Sequence, residues 1–162
     1  MTPVVPYRTI GGWAALLFPF IAALFPGCAP APERGEGDPI ALGAALLAAE
    51  GFAGITPSND GNWLVGVRPG TPPPLGELHA REIAIEPADG DRARLDALAI
   101  EVDCTMPQHR HGMNVTPEIE RLAPGRFAVR GLELFMEGEW LFTVDIIDGG
   151  ITERTQWWVE PR

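Results

Sequence analysis

From Gly54 to the C-terminus, apolar residues recur with a period of two, in short runs separated by Gly, Pro, Asn and Asp. That period places successive side chains on opposite faces of a strand, so a chain written this way has to bury one face of each strand against another layer. The cleanest run sets Leu98, Ile100, Val102 and Cys104 on one face and Ala99, Glu101 and Asp103 on the other. Trp140, Phe142, Val144 and Ile146 alternate, Asp148-Gly149-Gly150 supplies a hairpin turn, and Ile151 to Val159 returns as the last strand. Trp63, Val65 and Val67 share a face, as do His79, Ile83 and Ile85, a series that Arg81 interrupts. Val115 and Ile119 make a weaker strand, and Ala123-Pro124-Gly125 turns into Phe127 and Val129. About six or seven short strands in this length predict an all-β fold, an immunoglobulin-like β-sandwich.

The N-terminal side is written differently. Arg8 precedes an apolar run from Trp13 to Phe25, followed by Pro26, Gly27 and Cys28 and then the Pro-rich APAPERGEG. A charged start, an apolar middle and a small residue at the cut are the order of a secretory leader, and Pro19 argues against a permanent span. Residues 1–28 are therefore expected to be a signal peptide, with Gly27-Cys28 as a candidate lipobox and Cys28 as the lipid attachment site; cleavage after Ala31 is the rival. Residues 29–53 are expected to hold a tether and a short helix, since Asp38 offers an N-cap, Pro39 a first helical residue and Gly51 a stop. The sandwich then spans 54–162. This organisation predicts an exported protein of the periplasm or cell envelope, held at the membrane by an N-terminal lipid.

With 12 Arg, no Lys and 22 acidic residues, the net charge of -10 and the absence of a basic patch exclude nucleic acid as a partner. If Cys28 is acylated or removed, Cys104 has no partner, and an exported fold has to stand without a disulfide.

The chemistry concentrates in Asp103–Met113, DCTMPQHRHGM, which holds two of the three His, two of the four Met and one of the two Cys. Imidazole binds either copper oxidation state and thioether sulfur favours Cu(I), whereas zinc has little use for Met. In an extended segment His109, His111 and Met113 project to the same side, about 7 Å between alternate residues; Met106 has the other parity and needs a bend at Pro107 to join. Cys104 continues the apolar face of its strand and reads as a buried thiol. The plainer reading is a solvent-facing His pair with Met as core filler. Cys104, His109 and Met113, with His79, also have the order of a blue-copper ligand set, but several strands follow Met113 where such a loop joins the last two.

The blocks PLGELH ending at His79, MPQHRHGM from Met106, and GRFAVRGLELFMEGEW from Gly125 to Trp140 occur in that order. From about Leu75 to Val159 the chain resembles the YtkA-like domain of bacterial exported proteins and lipoproteins, related in pattern to the FixH family. The resemblance implies an immunoglobulin-like sandwich outside the cytoplasm with a copper-handling role. It singles out His79, Met106, Pro107, His109, His111, Gly112, Met136, Gly138 and Trp140, and its pattern does not call for a thiol at Cys104.

No nucleophile with a base, no phosphate-cradling loop and no paired carboxylates stand out, so the sequence predicts a binding protein and not an enzyme. The leading expectation is a copper ion held by His109 and His111, with Met113, Met106, Met136 or His79 completing the site, and an envelope metalloprotein as partner. The alternatives are a metal-free structural or protein-interaction module and cupredoxin-like electron transfer. Trp157-Trp158 places one indole on each face of the final strand, one for the core and one for a contact surface.

Overall fold

The computed structural model describes residues 38–162; the expected leader over 1–28, with Cys28, and the expected tether from 29 to 37 lie outside the described residues. Helix α1 runs Pro39–Ala49. The Asp38 carboxylate caps it by accepting from the Ile40 N–H at 3.0 Å, and Pro39 takes a position whose N–H has no helical acceptor. Gly51, at φ 83°, turns the chain out of the helix.

Two antiparallel sheets follow. The first comprises β1 (Ala53–Pro57), β2 (Trp63–Arg68), β3 (His79–Pro87), β6 (Glu118–Ala123) and β7 (Arg126–Leu132), in the order β1-β2-β3-β7-β6. The second comprises β4 (Ala99–Met106), β5 (His111–Gly112), β8 (Trp140–Asp148) and β9 (Ile151–Val159), in the order β5-β4-β8-β9. A 3-10 helix, Arg92–Asp96, carries the chain from β3 to β4. The fold is an all-β sandwich: Trp63, Val65, Ile83, Ile85, Phe127 and Val129 from one sheet meet Ile100, Val102, Cys104, Trp140, Phe142, Val144 and Ile146 from the other.

Helix α1 covers the outer face of the first sheet. Leu47 is fully buried there with Phe52, Leu64 and Ala84, and Gly43 permits the approach, since a Cβ at that position would stand 3.1 Å from Leu64 Cδ1. The same face buries Glu86, whose charge is met by Arg92 at 2.8 Å and Arg126 at 2.7 Å; Arg126 also reaches Glu50 at the helix end, 2.7 Å away. The helix is thus part of the packed domain.

The described residues hold nine strands against the six or seven expected. The additions have physical reasons for being illegible. Strand β1 contains Gly54 and ends on Pro57, residues that read as punctuation, and a sheet edge tolerates both. The other addition, β5, is two residues long; the weaker strand expected at Val115 and Ile119 is β6, which begins only at Glu118 and is exposed along its whole length, so nothing imposes alternation on it.

Candidate metal centre

Strands β4 and β5 form a hairpin with Thr105 opposite Gly112 and Met106 opposite His111. Its turn is closed by His109 N–H donating to the Met106 carbonyl at 2.9 Å and Arg110 N–H to that of Pro107 at 3.2 Å. Arg110 takes φ 58°, the left-handed region that a residue with a Cβ occupies at a cost of about 1–2 kcal/mol. The expected extended segment is therefore corrected. Residues 107–110 are a tight turn, so His109 reaches the neighbourhood of His111 through the turn and not by shared strand parity.

The two imidazoles nevertheless come together, with ring centroids 5.9 Å apart and planes tilted by 37°. The chain reversal that begins at Pro107 also brings Met106 in, because directly opposed residues of an antiparallel pair project from the same face with Cβ atoms about 5 Å apart. Met106 is 1% exposed and belongs to the core. His109 is exposed, and His111, between them, is half-buried.

His111 carries the site's most informative atom. Its ring stacks on Phe135 at 5.2 Å and meets the edge of Trp140 at 5.5 Å. Nδ1 lies 3.2 Å from the Gly112 carbonyl oxygen, an acceptor that requires the nitrogen to carry the proton. Neutral imidazole then has its lone pair on Nε2, and Nε2 is buried with no hydrogen-bond partner. A buried acceptor left unmatched costs about 1–3 kcal/mol. One nitrogen donating to a backbone carbonyl and the other presenting a free lone pair is also how a metal-bound histidine is held.

The loop between β7 and β8 closes over the hairpin. Gln108 Nε2 donates to the Glu139 carbonyl at 2.7 Å, and Trp140 Nε1 donates to that of Met136 at 3.0 Å. Gly138 adopts φ 113°, and a Cβ there would lie 2.8 Å from Met106 Cε. Met136 is 37% exposed and adjacent in sequence to the Phe135 that stacks on His111. Met113 packs partly buried against the core, its N–H held by the Cys104 carbonyl at 3.1 Å.

His79 stands apart. It opens β3 opposite Leu132, its Nδ1 lies 3.3 Å from the Glu77 carbonyl oxygen, and it lines a cavity to which the hairpin residues do not contribute. Burial pushes its pKa down. Cys104 is fully buried, as its strand face predicts, and burial first, then the Asp103 charge, pushes its thiol far up and keeps it protonated.

Among the described residues no three His, Cys, Asp or Glu side chains gather to hold a metal. Soft side-chain ligands near the two imidazoles are thioethers: Met106, Met113 and Met136 are the methionines of the hairpin and the loop over it. That set fits Cu(I) and fits zinc poorly. The sequence pointed to the histidines; it gave no signal for Phe135, which orients His111, or for Gln108, which ties the turn to the loop. No protein-family model, no curated protein sequence and no solved structure matches the chain.

Proposed function

We propose that this domain is a copper-binding protein of the cell envelope, exported by its leader, anchored through Cys28, and holding Cu(I) at the β4–β5 hairpin with His109 and His111. Thioether from Met106, Met113 or Met136 completes the ligand set, and the role is storage, tolerance or delivery to an envelope metalloprotein. The observation that carries this reading is the buried, partnerless Nε2 of His111, whose other nitrogen is committed to a carbonyl. The resemblance to YtkA-like domains points the same way. Isothermal titration with Cu(I) and Cu(II), beside a His109→Ala/His111→Ala double variant, tests it: tight Cu(I) binding lost in the variant supports the site, and equal weak binding by both removes it.

The stacking of His111 on Phe135 and Trp140 favours a second reading, in which the ring only pins the hairpin within a metal-free structural or interaction module. His111→Phe separates the two, because it keeps an aromatic ring and deletes the lone pair. The copper reading expects a folded variant with lost Cu(I) affinity; the structural reading expects no specific copper binding in either protein. Cupredoxin-like electron transfer needs Cys104, His109, Met113 and His79 around one ion, and the place of His79 in a cavity to which the hairpin residues do not contribute weighs against it.

A further inference from the structure

Arg81 lies on the inward face of β3, between His79 and Ile83, and is 7% exposed. Among the described residues Arg68, Arg92, Arg94, Arg126, Arg130 and Arg154 each reach a carboxylate. Arg81 is the most buried of the described arginines and reaches no described carboxylate. Its Nη1 donates to the Pro69 carbonyl, and among the described residues no acceptor meets Nε or Nη2. Burial pushes its pKa down. A buried cation without a counter-charge is unfavourable by several kcal/mol unless something answers it.

What Arg81 borders is a cavity of about 310 Å³, near the lower end of small-molecule sites. Its walls are Trp157, Trp158, Phe142 and Leu134, with the segment 69–73 on one side and His79 beside the arginine. That segment is held in place: Gly70 sits so close to β1 that a Cβ would lie 2.6 Å from Ala53 Cβ, and Arg162 N–H donates to the Pro73 carbonyl at 2.9 Å. The wall is therefore built before any ligand arrives. Glu160 stands at the lining as well, is exposed, and forms no ion pair with Arg81.

We propose that this cavity binds a small monocarboxylate with a flat apolar body, its carboxylate taken side-on by Nε and Nη2 of Arg81 and its body laid against the Trp157 indole, which shares the inner face with Phe142. The free edge of the guanidinium presents two parallel N–H groups, which match the two oxygens of a carboxylate. Arg81 is the one buried cation of the lining, Arg162 there being exposed, and it matches one negative charge; a phosphate dianion would set its second charge beside apolar walls and Glu160. The site is separate from the His hairpin, so copper binding and carboxylate binding are independent properties.

The test is NMR titration of the purified full chain with phenylacetate, phenylacetamide and inorganic phosphate, following the Arg81 Nε–H and the Trp157 indole N–H signals. Phenylacetate is expected to shift both saturably, and loss of the charge-assisted bonds makes phenylacetamide weaker by about tenfold or more. Phosphate leaves the signals in place. Arg81→Met loses phenylacetate binding while its urea midpoint equals or exceeds that of the parent, because an uncompensated charge has been removed from the interior. Arg81→Lys keeps the charge without the paired donors and binds more weakly than the parent; it decides the matter if Arg81→Met fails to fold. Equal binding of phenylacetamide, retained binding in the folded Arg81→Met or undiminished binding in Arg81→Lys, or failure of phenylacetate, benzoate and butyrate alike to move the signals overturns the proposal.

Discussion

Gly138→Ala probes whether the β7–β8 loop is a fixed lid over the hairpin. Two costs arise. At φ 113° an L side chain strains the backbone, for about 1–3 kcal/mol. The new methyl would also stand 2.8 Å from Met106 Cε, inside the normal carbon contact distance of about 3.5–4.0 Å. Overpacking a rigid core costs about 1–3 kcal/mol, but Met has three rotatable bonds and offers only its terminal methyl, so most of that clash relaxes. The expected loss is about 2–3 kcal/mol, chiefly from the backbone. Urea unfolding measures it as a fall in midpoint at unchanged slope. A double-mutant cycle with Met106→Ala divides the two causes: backbone strain predicts a coupling below about 1 kcal/mol, whereas a rigid clash predicts coupling near the whole loss. A loss below about 0.5 kcal/mol in Gly138→Ala, the range of an ordinary surface change, refutes the fixed lid.

Leu47→Ala is expected to cost about 2–5 kcal/mol in urea unfolding, because Leu47 is fully buried under the first sheet; a change near zero means that α1 does not stabilise the sandwich. Trp157, stacked on Phe142 at 4.7 Å, and Trp158, 55% exposed, are expected to separate sharply: Trp157→Ala loses more than about 2 kcal/mol and Trp158→Ala stays within about 0.5 kcal/mol, and equal losses contradict the burial pattern. Burial holds the folded-state pKa of His79 below its ordinary value of about 6.5. As pH falls through that value the unfolded chain takes up the proton first, so stability present above it declines towards the folded pKa and levels off beneath. His79→Gln should flatten the decline in urea midpoint between about pH 7 and 5; identical profiles for parent and variant exclude His79 as a source.

The strands that could be read from sequence are those whose inner face is filled by the core. Leu98 to Cys104 and Trp140 to Ile146 alternate because every second side chain enters the space between the sheets. The edge strand β1 and the exposed β6 carry no such demand. Leu64 shows a different limit: it lies on the face opposite Trp63 and Val65, yet α1 buries it, so β2 is apolar on both faces. In the hairpin, the density of His and Met is visible in sequence but its geometry is not, since nothing about an arginine announces φ 58° at Arg110. His79 falls in a separate cavity because its place in the order of blocks says nothing about which edge of the sandwich it faces. Arg81 is legible as a charge that breaks an apolar parity series, and only the fold shows that it opens onto a cavity without a counter-charge.

The central claim is that His111 presents Nε2 as a waiting ligand. Long-range nitrogen-15 NMR of the histidine side chains, recorded before and during Cu(I) addition, reads it directly, because Cu(I) is diamagnetic and each ring nitrogen reports its own protonation. The account predicts that His111 is the Nδ1–H tautomer without copper and that its Nε2 resonance moves on stoichiometric Cu(I) addition, together with a nitrogen of His109, while His79 stays unchanged. A proton on Nε2 of His111, or a Nε2 resonance that ignores Cu(I), contradicts it.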